Sequence, residues 1–398
     1  MSKLYNIIIQ LYVCIIHIHS FINHKSKKWV DGRKNLLKDL KEQINNQKDI
    51  AWFHCSSLGE YQQCKELILK YQETFPKEKI LLTFFSPSGY DQIKNDKKID
   101  WVFYLPADTF SNANTFINIV NPKKVFFIKS EFWYNYMQIL NSKNIPLYHI
   151  SSLFKKNQYM LKLPFYNKIL KKSKHFFVQN KESKLALECA EINQTTIIKD
   201  TRFDTILSDI KKNIEYVNIK RYCSKKPTMI FASIWPEDEH LFLDYVNEYS
   251  NLRYILVPHE LNYCSTLEKK TKGVLYSEFQ KKGFTNKNIV IIDSIGMLKD
   301  IYKYCNIAYI GGGFGKGIHN TVEAVASGIP VVFGPNYRKF IEARDLISIR
   351  AAVSVKTNEE FKKALFELTA SFNKEIVMDY INKKAGSVAN IINHIKNL

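Results

Sequence analysis

Ile310-Gly311-Gly312-Gly313-Phe314-Gly315-Lys316-Gly317-Ile318-His319-Asn320-Thr321-Val322-Glu323-Ala324 is the stretch from which the rest of the chain can be read. It follows the apolar run Asn306-Ile307-Ala308-Tyr309 and leads into a helix-like run from Val322 to Ser327. Strand, glycine loop and helix start, in that order, predict an anion site. Glycines let backbone approach a ligand closely, and free N–H groups at a helix N-terminus attract phosphate. Asn320 suits the N-cap, and Glu323 stands three residues on, as in a capping box. The loop is not a dinucleotide fingerprint, which belongs in the first βα unit, nor a Walker loop, because no Gly-Lys-Ser/Thr follows. A phosphorylated ligand is the expectation.

Outward from this loop the same rhythm repeats. Thr228 to Ala232, Arg253 to Val257, Asn288 to Ile292, Ile307 to Ile310 and Pro330 to Phe333 read as strands of one α/β half. Ile50 to Cys55, Ile80 to Phe85, Trp101 to Leu105, Lys124 to Ile128, Leu147 to Ser151, Phe176 to Val178 and Thr196 to Ile198 read as strands of another. Short apolar runs alternating with helical stretches predict parallel sheets with crossover helices. The division expected is an N-terminal segment at 1–28, a first domain at 29–207, a charged linker at 208–226, a second domain at 227–380 and a C-terminal helix at 381–398 that packs back on the first. Ligands then belong at the carboxyl ends of the strands, with a cleft between the halves as the default site.

The formal charge is +20, carried by 51 Lys against seven Arg. Nucleic-acid readers favour Arg for bidentate contacts, so a nucleic-acid partner is not expected. A diffuse lysine field suits an anionic membrane surface or an acidic lipid. The seven cysteines include no C-x-x-C pair, which argues against a disulfide framework and a structural zinc site. His259 has no second His or Cys at ligand spacing, so no metal is expected.

Leu4 to Ile22 is mostly apolar, interrupted by Asn6, Gln10, His17 and His19, and Lys25, Lys27, Lys28, Arg33 and Lys34 follow. It lacks a small-residue cleavage site. A short anchor, a helix lying in the interface with Trp29 at headgroup level, and a buried core helix all fit.

Three strand-end turns carry charge. Ser57-Leu58-Gly59-Glu60 places a carboxylate at the end of the first strand, either as a general base or as a first-turn residue favoured by the helix dipole. In Lys129-Ser130-Glu131-Phe132-Trp133-Tyr134 the aromatics line an acceptor groove or simply pack. In Asp200-Thr201-Arg202-Phe203-Asp204 the scarce Arg either neutralises charge in a cleft or pairs with Asp200 or Asp204. Trp235-Pro236-Glu237-Asp238-Glu239 reads as helix-initiation chemistry. Ile295-Gly296-Met297 reads as a rim for a nucleotide base.

Taken together, these motifs resemble the 3-deoxy-D-manno-octulosonic acid (Kdo) transferase family. The likeness is collinear from Leu4 to about Leu346. It rests on Gly32-Arg33-Lys34, Ser57 to Glu60, Ser86-Pro87-Ser88-Gly89, Tyr104 to Asp108, Glu131-Phe132-Trp133, Asp200 to Asp204 and the glycine loop through Pro335. The resemblance implies a GT-B glycosyltransferase of two Rossmann-like domains facing a cleft. It implies transfer of Kdo from CMP-Kdo to a lipid A precursor, with inversion and without metal or other cofactor, on the cytoplasmic side of a Gram-negative inner membrane. Glu60 matches the family's base, and Glu131 and Arg202 its supporting positions. Donor contacts map to Pro258, His259, Ile295, Gly296 and Met297, to Gly312, Gly313, Gly317 and His319, and to Asn320, Thr321, Val322 and Glu323. The chain departs from the family pattern at Ile318 and Thr321 within the loop, at Lys199 where glycine is usual, and at Met297 where a Glu is common. Other readings are a UDP-sugar transferase or epimerase on the same fold, and a basic membrane-associated binding protein that has lost catalysis.

Overall fold

The computed structural model describes residues 2–44, 46–283 and 285–397. Met1 and Leu398, the outer bounds expected for the first and last segments, lie outside them. The chain forms two compact units, Met1–Thr205 with Lys384–Leu398, and Ile206–Lys383.

In the first unit seven parallel strands run β1 (Ile50–Cys55), β2 (Lys79–Phe84), β3 (Trp101–Tyr104), β4 (Lys124–Ile128), β5 (Leu147–Ser152), β6 (His175–Val178) and β7 (Thr195–Ile197). Their spatial order is β3-β2-β1-β4-β5-β6-β7. Both faces are covered by helices, which is why the strands read as continuous apolar runs. Alternate residues of β1 enter different cores. Trp52 packs edge-on against Phe127 and Tyr136 on one face. Phe53 stacks on Phe126 at 4.4 Å on the other. The order reverses between β1 and β4, so the chain leaves these two adjacent strands in opposite directions. A crevice opens at their carboxyl ends.

The second unit repeats the plan with β8 (Thr228–Ile234), β9 (Arg253–Pro258), β10 (Val274–Leu275), β11 (Ile289–Ile291), β12 (Ile307–Ile310), β13 (Val331–Phe333) and β14 (Ala352–Ser354). The order is β10-β11-β9-β8-β12-β13-β14, with the reversal between β8 and β12. The edge strands β10 and β14 were not foreseen; at two and three residues they are too short to show a period.

Two segments differ from expectation. The first is α1 (Ser2–His19), which leaves Leu4, Ile7, Ile8, Leu11, Ile15 and Ile18 more than half exposed, so it is no buried core helix. Among the described residues no helix is long and apolar enough to cross a membrane. The helix is fastened by Tyr5, whose hydroxyl donates to Asp108 at 2.6 Å, and by Asn6, which accepts from Asn135 at 3.1 Å. Trp29 does not stand at headgroup level. It is 5% exposed, with the Arg33 guanidinium 3.9 Å from its ring.

The second is the linker, which is helical: α2 (Arg202–Lys212) is followed by α3 (Val217–Cys223). Ile219, Tyr222 and Cys223 are buried, and Arg253 stacks over the Tyr222 ring. Most of its charges face outward, while Asp209 turns in to pair with Lys299 at 2.5 Å. In the C-terminal stretch, α4 (Ser387–Lys396) sets Val388, Ile391, Ile392 and Ile395 into the same cluster as Phe53. The Asp204 carboxylate holds its start, accepting from Gly386 N–H at 2.9 Å and Ser387 N–H at 3.2 Å.

Candidate active site

In the first unit, Glu60 and Glu131 follow β1 and β4, the two strands that flank the reversal. Glu60 lies in the first turn of the helix Leu58–Thr74, where Ser57 Oγ donates to its carboxylate. Lys129 Nζ approaches from the end of β4 to 3.8 Å. Lys129 has φ +66°, a left-handed conformation that costs a non-glycine residue roughly 1–3 kcal/mol. That backbone turn directs its side chain toward Glu60.

Glu131 lies 3.5 Å from Nε2 of the buried His54. Trp133 Nε1 donates to that same Nε2 at 3.2 Å. An accepting Nε2 leaves Nδ1 to carry the proton, toward Thr83 Oγ1 at 2.9 Å. The loop after β4 is thus held through Trp133 against a residue of β1, with the Glu131 carboxylate beside it. The aromatics of this motif divide: Phe132 and Tyr134 are buried, whereas Trp133 is half-buried and stacks on Phe85 at 4.9 Å.

Arg202 resolves toward its local partner. Its Nε donates to Asp200 Oδ2 at 2.8 Å and its backbone N–H to Asp200 Oδ1 at 2.9 Å. Thr201 is buried and bonds Ser151 Oγ at 3.0 Å, so the motif is tied to the end of β5. Every polar residue of Asp200 to Asp204 therefore has a structural task, whatever else it does.

In the second unit the loop after β12 is not the open cradle expected. Gly311 N–H donates to Ala232 O at 2.8 Å. Gly312 N–H donates to Asp238 at 3.0 Å. Gly315 and Gly317 N–H both turn back to Gly312 O. These glycines serve close packing instead: a Cβ on Gly311 would stand 2.4 Å from Ser233 O. Nor is Asn320 the N-cap. The helix spans Val322–Ala326 with Thr321 before it. Asn320 accepts from Val322 N–H at 3.0 Å and donates its amide to Glu323 at 2.8 Å, a turn that fixes both side chains.

Sequence reasoning gave Trp235 and Asp238 a helix-initiation role alone. Asp238 is fully buried and accepts from Trp235 N–H at 2.9 Å, Gly312 N–H at 3.0 Å and Tyr309 hydroxyl at 2.8 Å. It fastens the ends of the flanking strands β8 and β12 together. Burial raises its carboxyl above the usual range, against the pull of those three donors. Trp235 stacks on His259 at 4.4 Å, and His259 on His319 at 4.4 Å. Trp235 Nε1 donates to His319 Nε2 at 2.9 Å. Burial, with His259 adding to it, pushes His319 down to about 4, and burial lowers His259 as well. Three flat rings, two of them imidazoles held neutral, line the β8 side of the glycine loop. Pro258 ends β9 just before this stack. Gly296 has φ +97°, Ile295 is exposed, and Met297 turns into the core, so a base rim has only Ile295 to offer as a side chain. Among the described residues no group of three or more His, Cys, Asp or Glu could hold a metal.

Two parallel α/β units, each with polar groups at its own reversal point, have the GT-B fold. The likeness in solved structures shows that fold: UDP-GlcNAc 2-epimerase from Neisseria meningitidis superposes with TM-score 0.55 at 14% identity, over 87% of this chain and 98% of that one. The family model for 3-deoxy-D-manno-octulosonic-acid transferase (kdotransferase) matches residues 31–205, within the first unit. The 3-deoxy-D-manno-octulosonic acid transferase of Aquifex aeolicus is 26% identical over 85% of this chain and 91% of its own. A bifunctional glycosyltransferase/methyltransferase of Fusobacterium nucleatum is 27% identical over 87% of this chain, which spans 56% of that relative's length. These likenesses place the chain among glycosyltransferases, and its sequence is similar to that of the Kdo transferases.

Proposed function

We propose that this chain moves Kdo from CMP-Kdo to a phosphorylated lipid A precursor, in one displacement with inversion, on the cytoplasmic face of the inner membrane. The observation that carries the reading is the placement of Glu60 at the reversal point of the first sheet, gripped by the Ser57 hydroxyl and 3.8 Å from Lys129. Glu60 accepts the proton of an acceptor hydroxyl as that oxygen bonds to the anomeric carbon. The bond from that carbon to the CMP phosphate breaks, and CMP leaves with the electron pair. Attack opposite the leaving group inverts the centre. Glu131 and Arg202 support the acceptor side. Charge on the departing phosphate falls to the turn His319 to Thr321 and neighbouring cations, so the reaction as drawn needs no metal. The exposed apolar face of α1, followed by Lys25, Lys27 and Lys28, lies in the bilayer interface and brings the active site to its lipid.

The test incubates the full chain with a lipid A precursor and CMP-Kdo generated in situ, and weighs the lipid. A gain of one or more Kdo masses is expected, and Glu60→Gln should slow it about 10²- to 10⁴-fold. Equal product from both proteins removes Glu60 as the base. No product from either protein points to another donor.

A further inference from the structure

The loops after β12 and β13 are built as one piece. Gly313 and Gly334 meet backbone to backbone, and a Cβ on Gly313 would stand 2.5 Å from Gly334 N. Asn336 clamps the pair: its N–H donates to Gly313 O at 2.9 Å and its amide to Gly315 O at 2.8 Å. Lys339 then crosses the glycine loop, donating to Lys316 O at 2.6 Å. Gly317 leaves room for that crossing, because a Cβ there would meet Lys339 Cε at 2.8 Å.

Beside this double loop lies a pocket of about 680 Å³, bounded across from it by Ser354 and Lys356 at the end of β14. Four cations line it, Lys316, Arg338, Lys339 and Lys356, and no acid does. Among the described residues none of the four is ion-paired, whereas lysines elsewhere in the unit are, as Lys270 is to Glu239 at 2.6 Å. Four like charges around one cavity repel each other until an anion enters. The pocket lies on the β13 side of β12. The ring stack, where the nucleotide is expected, lies on the β8 side.

We propose that this pocket holds the carboxylate of an acidic sugar while its nucleotide occupies the ring-stack side. The proposal rests on the donor reading above. Arg338 offers a planar fork matched to a carboxylate, and the lysines supply unpaired charge around it.

The experiment compares full-length wild type with Arg338→Gln, Lys356→Gln, the double variant and Arg338→Lys. The probes are freshly prepared CMP-Kdo, CMP as inhibitor, and the lipid acceptor; urea unfolding confirms that each variant is folded. The double variant should raise the KM for CMP-Kdo about tenfold or more, with Arg338→Lys between it and wild type. Inhibition by CMP and the KM of the acceptor should stay within about twofold, since neither carries the donor's carboxylate. An equal loss of CMP inhibition would overturn the proposal in favour of the nucleotide phosphate. A rise confined to the acceptor would overturn it in favour of a lipid phosphate, and no change in any constant would leave the pocket without an anionic substrate. Wild type that turns over CMP-Kdo while the variants match it sinks the pocket alone. Wild type that neither binds nor turns over CMP-Kdo sinks the donor reading with it.

Discussion

His319 is the residue whose environment says most about its state. It accepts a hydrogen bond from Trp235, stacks on His259 and sits where burial lowers it to about 4. Its proton affinity is therefore weaker folded than in the unfolded chain, where imidazole titrates near about 6.5. The unfolded chain binds protons first as pH falls. The stability contributed by neutral His319 is complete above about 6.5 and is lost as pH drops toward 4. NMR titration of the His319 ring should show a midpoint near 4. His319→Gln should flatten the pH dependence of unfolding across that window; a midpoint near the free value would show that the stack does not exclude water. Nothing local in the chain announces this arrangement. Trp235 and His319 stand far apart in the chain, and Asp238 finds its partners Tyr309 and Gly312 more than 70 residues on. Glu60 and Glu131 were legible, because a carboxylate directly after a buried strand sits at a sheet edge in almost any α/β fold.

At the scale of elements, α1 carries the clearest prediction. Its outward Ile15 and Ile18 face no part of the unit that Tyr5 and Asn6 fasten it to. Ile15→Ser and Ile18→Ser should each weaken sedimentation with anionic vesicles about tenfold, the value of one fully buried aliphatic side chain. Unchanged sedimentation would remove this helix from the membrane contact. The long strands were readable because helices cover both faces of each sheet and leave unbroken apolar runs. What escaped reading was short or amphiphilic. β10 and β14 have too few residues for a period, and α3 hides Ile219, Tyr222 and Cys223 among lysines. The glycine loop was read correctly as a strand-to-helix turn but with the wrong use of its amides. Which N–H is already taken depends on Ala232 and Asp238, groups brought there only by folding.

At the scale of the whole molecule, the two sheets share a plan and differ in where their polar groups lie. The first concentrates carboxylates at its reversal point, and the second concentrates aromatic rings and cations around its own. The helix α4 belongs to the first unit although the entire second unit precedes it in the chain. Its Val388, Ile391, Ile392 and Ile395 bury apolar surface worth on the order of 6–10 kcal/mol. That is comparable with the whole net stability of an ordinary domain, about 5–15 kcal/mol. During synthesis, then, the strands of the first unit wait for a helix made only after the whole second unit. A ribosome carrying the chain to Lys383 displays a first unit with an open greasy flank around Phe53, Tyr148 and Phe177. A chain stopped there should be cut by protease within 50–205 far faster than the full chain, and equal resistance would show that this half closes by itself. If the flank does stay open, the unit that carries Glu60 cannot close until the whole second unit has been made.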